Sequence, residues 1–436
     1  MSLLRAPERA VAARPAVAGL GDEGARLLAG PPAHTGAEPY ASHTARLGDL
    51  DLDLAPTTLR REVATAGLLG RGGAGFPAGR KLDAAARAGG GGVVVINASE
   101  GEPASAKDRT LCAYRPHLVL DGALVAAKAS GARAVICYVH PGAADAALRT
   151  ALAERGEQGV SWRFVAPPPT YLAGETSAVI GVLEGRGALP RHSAVPAAVA
   201  GLHGRPTVVA NAETLAHLAL IARFGAGWFV EAGTASAPGS SLVTLAGAVR
   251  APGTVLEVCS PVALGALLAR GGGTFGGPTP VLLGGYAGAW IPGEVAWALP
   301  LDRAVLADAR VSLGCGVIAP LHQDACGLAE TARLLGWLAR QSAGQCGPCR
   351  FGLPALAELA THLARGEASR GELNTLRQLA ASVRGRGACG HPSGVLTLLE
   401  SALDTFAEEV RWHLRGRNCA ALGAACGLPL APEPPA

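Results

Sequence analysis

The chain has 436 residues, of which 49% are hydrophobic, 17% charged and 4% aromatic. That length exceeds one ordinary domain, so two or three domains and a substantial apolar core are expected. The net charge of +4 is spread without a Lys/Arg run, which speaks against a nucleic-acid groove or a membrane-surface patch.

Residues 1–56 are rich in Ala, Pro and Gly and weakly patterned, and read as an irregular or partly helical lead-in. From 57 to 240, short apolar runs alternate with glycine loops and helical stretches. Strands are expected at Val93–Ile96, Ala134–Val139, Trp162–Val165 and Thr207–Ala210, with a helix at Pro116–Ser130. That order predicts an α/β layer with a largely parallel sheet. From 241 to 322 the texture changes to β-like runs (Ser241–Ala246, Gly253–Leu256, Pro280–Leu283) around a helix at Pro261–Leu268, which predicts a small α+β domain. From 323 to 414, leucines at three- and four-residue spacing predict helices at 326–341, 351–365, 371–384 and 393–414. Four helices on short loops imply a bundle, and residues 415–436 read as a flexible tail. Met1–Pro15 has no apolar core of signal-peptide length, and no stretch approaches ~18 uninterrupted apolar residues. A cytoplasmic location is therefore expected, with no direct membrane insertion and no nucleic-acid partner.

Four blocks carry chemistry. Gly70-Arg71-Gly72-Gly73-Ala74-Gly75-Phe76-Pro77-Ala78-Gly79-Arg80-Lys81 has glycine at a density that lets backbone N–H groups approach a phosphate or a flat ring, with a cation at each end. A bare turn is the plainer reading of such a loop. The second block runs from the strand Val93–Ile96 into Asn97, Ser99, Glu100, Gly101 and Glu102, followed by Lys107-Asp108-Arg109. Ligands of open α/β sheets bind at such strand ends, where amides and carboxylates meet hydroxyls or a carboxamide; a solvated acidic loop is the alternative. The third block is Tyr171-Leu172-Ala173-Gly174-Glu175-Thr176-Ser177, and the fourth is Pro206–Ala210 followed by Asn211-Ala212-Glu213-Thr214.

Ten cysteines in this length are too few for a disulfide scaffold. Cys112 and Cys137 read as small buried hydrophobes. Cys346, Cys349 and the remote Cys389 stand apart, because Cys346-Gly347-Pro348-Cys349 is a ligand-like pair.

These four blocks, in this order and spacing, resemble the flavin- and NADH-binding subunit of bacterial and mitochondrial complex I. The related flavin subunits of NAD-linked hydrogenases and formate dehydrogenases share them. The resemblance runs from about residue 60 to 412. It implies a Rossmann-like α/β flavin domain, then a small ubiquitin-like α+β domain of SLBB type, then a C-terminal helical bundle with a [4Fe–4S] cluster. It implies that Gly70, Arg71, Gly72, Gly73, Gly75, Phe76, Lys81, Asn97, Gly174, Glu175, Asn211 and Thr214 bind FMN or NADH. It places Glu100 and Glu102 at the reacting end, and Cys346, Cys349 and Cys389 on the cluster.

The activity it implies is FMN-dependent oxidation of NADH, with electrons passed to an iron–sulfur cluster and a partner. That partner is an iron–sulfur subunit or ferredoxin, or a membrane reductase, which would leave the chain peripheral to the inner membrane. Several positions depart from the family pattern. Ser99 replaces an Asp, Thr176 a Glu and Ala84 an aromatic, and His192–Pro196 lacks a Lys and a Phe. These losses remove nucleotide contacts more than flavin contacts. They leave two alternatives open: an FMN/iron–sulfur protein that exchanges electrons without NADH, and a non-catalytic structural paralogue. Ala343 stands where the family has its first cluster cysteine. The fourth ligand is then an outside or non-cysteine group, or Cys326, Cys419 or Cys426, or the site is a remnant; zinc is the weaker reading.

Overall fold

The computed structural model describes residues 24–156, 159–259, 261–417 and 427–431. The first part holds α1 (Tyr40–Leu47), α2 (Pro56–Thr65), α3 (Ala78–Arg87), β1 (Gly92–Ala98), α4 (Lys107–Tyr114), α5 (Pro116–Ser130) and β2 (Ala132–Val139). It continues through α6 (Ala143–Ala153), β3 (Ser161–Val165), α7 (Thr176–Leu183), β4 (Thr207–Asn211) and α8 (Ala212–Val230). The strands form a parallel sheet in the order β3-β2-β1-β4. Strand β1 is covered on both faces, as parallel strands usually are. Val94 and Ile96 join the core built with α5 and α8, while Val93 and Val95 pack with Val179 and Leu183 of α7. The alternation is the two-residue period of a strand.

Helix α5 is buried on nearly every side, which its continuous apolar sequence requires. Its one carboxylate, Asp121, is fully buried and pairs with His43 at 2.7 Å, Arg223 at 2.6 Å and Arg155. A buried charge persists only when it is paired in this way.

The second part holds β5 (Ser241–Leu245), β6 (Val255–Val258), α9 (Leu264–Arg270), β7 (Val281–Leu283), β8 (Ala289–Ile291), α10 (Gly293–Ala298), α11 (Arg303–Asp308) and β9 (Val317–Pro320). The sheet order is β6-β5-β9-β7-β8. The helix expected at Pro261–Leu268 forms three residues later, and β8 and β9 lie outside the expected β-like runs. Buried Glu257 on β6 accepts the N–H groups of Arg26, Leu27 and Leu28 at 3.0, 2.9 and 2.9 Å. That contact ties the lead-in to the second sheet.

The third part holds α12 (Gly327–Arg340), a π-helical turn at Pro348–Gly352, α13 (Leu353–Ala364), α14 (Arg370–Val383), α15 (His391–Thr405) and α16 (Ala407–His413). The helix expected over 393–414 is thus two helices broken at Phe406. The tail needs a correction in its described part, because residues 427–431 lie against α12. Leu428 N–H donates to Glu330 at 2.7 Å, Arg333 donates to Leu428 O at 2.6 Å, and Trp337 Nε1 donates to Ala431 O at 3.2 Å. Cys419 and Cys426 lie outside the described residues. The fold class is the expected one: a Rossmann-like α/β layer, a small α+β unit and a helical bundle.

Candidate functional site

The glycine loop joins α2 to α3 in front of β4. Gly70 N–H donates to Phe76 O at 2.9 Å and closes the loop. Gly73 and Gly75 have φ of +105° and +63°, which residues with a Cβ rarely adopt. Arg71 N–H donates to Thr214 Oγ1 at 2.9 Å and so fixes the loop to the start of α8.

One cavity opens at the C-terminal ends of β1 and β4. It gathers Gly70, Gly72, Gly75, Phe76, Lys81, Asn97, Gly174, Asn211 and Thr214, together with Thr176. Its enclosed volume is about 130 Å³, within a cleft of about 700 Å³ when space open to solvent is counted. Lys81 is the informative side chain. It donates to Val209 O at 2.8 Å and makes no ion pair among the described residues. Burial pushes its pKa down, because nothing beside it offsets the lost hydration. Asn97 Nδ2 donates to Gly174 O at 2.8 Å, and its Oδ1 accepts from Ser99 Oγ at 2.7 Å. A Cβ on Gly174 would sit 2.7 Å from Ser99 Oγ, so this wall admits only glycine without a shift. A half-buried cation without a counter-charge, a loop of backbone N–H groups and two amide side chains fit the phosphate and polar edges of FMN.

The other expected residues are placed differently. Arg71 and Gly73 face a second cavity on the far side of the loop. Arg71 donates to Pro238 O at 2.9 Å and lies 4.0 Å from Glu213. Glu175 caps α7, accepting from the N–H groups of Ser177 and Ala178 at 2.8 and 2.9 Å. Glu100 does not reach the cavity either. Its carboxylate accepts from Ser105 Oγ, Asp108 N–H and Arg109 N–H at 2.8, 2.9 and 3.1 Å and caps α4. Those bonds hold its backbone at φ +33°, a costly conformation for a non-glycine residue.

Glu102 is buried where the three parts meet. It accepts from Tyr286 N–H at 2.9 Å, with Tyr171 Oη at 3.4 Å. Burial pushes its pKa up to about 7, against the pull of the Tyr286 and Ala104 N–H groups. Tyr286 escapes sequence reasoning, since a lone Tyr in a glycine turn gives no signal. Lys107, to which the sequence assigns no role, forms a buried network with Asp108 at 2.9 Å, Glu213 at 2.9 Å and Asn211 at 3.2 Å. Phe76 is 52% exposed at the cavity mouth, where a stacking ring belongs. Ala84, by contrast, packs against the core, so that lost aromatic is replaced by packing.

The thiols of Cys346, Cys349 and Cys389 interact with one another between α12, the π turn and α15. Burial raises the pKa of Cys346, but N–H groups of Ala388 and Cys349 outweigh it and bring the thiol below its ordinary value. Burial and the neighbouring Cys346 push Cys349 up to about 12. Among the described residues no group of three or more His, Cys, Asp or Glu side chains is gathered to hold a single metal ion. A [4Fe–4S] cluster normally takes four thiolates; this segment offers the thiols of Cys346, Cys349 and Cys389, and Ala343 offers none. Cys326 belongs elsewhere. It caps the opposite end of α12, 3.4 Å from Glu409 and 3.8 Å from His413. Fourteen helical residues separate that end from the thiols, about 20 Å along the axis.

Comparison with known proteins agrees with this arrangement. The Nuo51 FMN-binding domain matches residues 63–220, and the NADH-ubiquinone oxidoreductase-F iron-sulfur binding region matches residues 329–413. The NADH-quinone oxidoreductase F 2 subunit of Rhizobium meliloti is 32% identical over 386 residues, covering 84% of this chain and 90% of that protein. The corresponding F subunit of Rhodobacter capsulatus is 30% identical over 382 residues, covering 83% and 89%. The crystal structure of an NAD+-reducing [NiFe]-hydrogenase in the H2-reduced state superposes with a TM-score of 0.76 at 28% identity. The match covers 83% of this chain and spans 63% of the hydrogenase chain. The chain belongs to the family of NADH-quinone oxidoreductase F subunits.

Proposed function

We propose that this chain is an FMN-dependent oxidoreductase subunit that takes electrons from NADH and passes them through FMN to a [4Fe–4S] cluster and a partner protein. The carrying observation is the convergence of Lys81, the glycine loop, Asn97, Gly174, Asn211 and Thr214 on one cavity at the strand ends. Bound flavin supplies the exchange between a two-electron donor and a one-electron acceptor. The chain's own residues do the rest. Lys81 and the loop N–H groups hold the phosphate, and Asn97 and Asn211 hold polar edges. Phe76 offers a face for the nicotinamide nucleotide. Cys346, Cys349 and Cys389 hold the cluster. Glu102, buried with a pKa near neutrality, is suited to hold or release a proton beside the site, while Glu100 keeps its loop in shape.

The partner is an iron–sulfur subunit or ferredoxin, with a membrane reductase as the further candidate. No helix among the described residues is long and apolar enough to cross a membrane. We place the chain in the cytoplasm, held at the inner membrane through such partners. A second reading keeps FMN without NADH. Thr176 in the cavity wall and Ala84 in the core favour it, because both remove family contacts to the nucleotide.

An anaerobic visible spectrum of the purified protein, before and after NADH, decides between them. Flavin absorbance that bleaches on NADH supports the first reading. Flavin that stays oxidised moves the function to the second, and a colourless protein refutes both.

A further inference from the structure

A second cavity among the described residues is larger than the one assigned to flavin. It lies behind the glycine loop, where residues 70 and 73–75 form one wall and the second sheet the other. Its enclosed volume is about 410 Å³, within the ~300–1,000 Å³ usual for small-molecule sites. Leu242 of β5, Val258 of β6, Leu306 of α11 and Leu313 give it apolar walls.

Its charged groups are unevenly matched. Lys107 and Glu213 pair with each other at 2.9 Å, and Asp108 also serves Lys107. Arg71 has Glu213 only at 4.0 Å, and its Nε is buried with no hydrogen-bond partner. Arg303 lines the same cavity, and it adds to the burial that chiefly disfavours the charged form of Arg71. The Arg303 guanidinium lies over the glycine loop, 3.2 Å from where a Gly75 Cβ would stand. It makes no hydrogen bond or ion pair among the described residues. Arg71, Lys107 and Arg303 thus line the cavity with one carboxylate, Glu213, and the orphaned Nε of Arg71 lies in the same cavity as the exposed, unpaired guanidinium of Arg303. Guanidinium groups bind phosphate and carboxylate through several donors at once.

We propose that this cavity is a second ligand site, for a small organic anion. The anion's phosphate or carboxylate sits between Arg71 and Arg303, and its apolar body lies against Leu242, Val258 and Leu306. The site is separate from the flavin cavity, although the two share the glycine loop as a wall.

Calorimetric titration of the full-length chain with ADP, and separately with octanoate, tests this and distinguishes the two head groups. Flavin content is measured in the same samples, so a failure of the flavin reading is seen independently. The expected result is saturable binding of one probe at one per chain. Arg303→Gln should weaken it at least tenfold, and Ala307→Trp on the cavity rim should block it. Lys81→Gln should leave it unchanged. No binding of either probe, or binding that Arg303→Gln leaves intact, overturns the proposal. Binding that Lys81→Gln abolishes also overturns it, since the probe then occupies the flavin cavity.

Discussion

Lys81→Gln separates a ligand-holding role from a structural one. In the folded chain the Lys81 ammonium has one partner, the Val209 carbonyl at 2.8 Å, and its pKa is lowered by burial. A base whose folded pKa lies below its unfolded value carries a penalty at every pH below the folded pKa. That penalty fades as pH rises from there toward the unfolded value of 10.5. At any pH below the folded pKa the flavin-free chain therefore bears this cost in full. Glutamine can keep the Val209 bond and carries no charge, so the flavin-free variant should melt at or above the wild-type temperature. Flavin-loaded protein should behave oppositely. A charged hydrogen bond to phosphate is worth about 1.5–3 kcal/mol, and each ~1.4 kcal/mol is tenfold in affinity. The variant should therefore bind FMN roughly 10- to 150-fold more weakly. Quenching of FMN fluorescence on titration into flavin-free protein measures the affinity, and calorimetry of the same samples gives the melting temperature. Unchanged FMN affinity would refute the assignment of Lys81. A weakened affinity accompanied by a clear fall in the flavin-free melting temperature would show Lys81 to be a structural residue.

Three further outcomes follow from buried groups. Glu102 is raised from 4.5 to about 7, so its ionisation costs stability that is absent below pH 4.5 and fully developed above about 7. At ~1.4 kcal/mol per unit the full cost is about 3 kcal/mol; Glu102→Gln should gain stability relative to wild type between pH 5 and 7.5, and parallel melting curves would contradict this. Ala343→Cys should raise the iron and sulfide bound per chain after anaerobic reconstitution, whereas Cys326→Ala should leave both unchanged; the reverse pattern would move the cluster to the other end of α12. Asp121→Ala leaves Arg155, Arg223 and His43 without their shared anion and should cost about 3–5 kcal/mol, read as the shift in a urea unfolding midpoint.

Where an element is continuous and locally patterned, the sequence is a sufficient guide. Helix α5 begins at Pro116 and ends at Ser130 as expected, because Pro opens a helix at its first turn and Gly131 closes it with φ +72°. Strands β1 to β4 fall on their apolar runs for the same reason. Strands β8 and β9 have three and four residues and each directly follows a glycine, too short for a two-residue period to declare itself. The docking of 427–431 rests on partners nearly a hundred residues away, and the Glu257 clasp on Arg26–Leu28 reaches across about 230. No local signal carries such contacts. The site is legible by kind and less so by role. The glycine loop and the amides reach one cavity, while Glu100 and Glu175 serve as helix caps. A carboxylate just ahead of a helix satisfies free N–H groups whether or not a ligand is near, and Thr176-Ser177 after Glu175 is the available hint.

The segment Tyr171–Glu175 gives the arrangement its coherence. Gly174 is a wall of the flavin cavity. Three residues earlier, Tyr171 touches Glu102 through its hydroxyl and packs on Trp337 of α12 and His391 of α15, with ring centroids 5.4 and 5.6 Å apart. Its N–H donates to Gln341 Oε1 at 3.1 Å, at the end of α12 that leads into the cysteine segment. Glu175 acts electrostatically on Cys389. One short piece of the α/β layer therefore contacts the candidate flavin cavity, the buried Glu102 carboxyl and the cysteine-bearing helices together. Independent domains on flexible linkers would let the spacing between flavin and cluster vary. Here the Tyr171 ring, wedged between two bundle helices, fixes it. Tyr171→Ala should therefore leave FMN content unchanged while slowing electron delivery to a one-electron acceptor such as ferricyanide more than it slows NADH bleaching of the flavin. Equal slowing of both steps would show that Tyr171 shapes only the flavin cavity and that the spacing is held elsewhere.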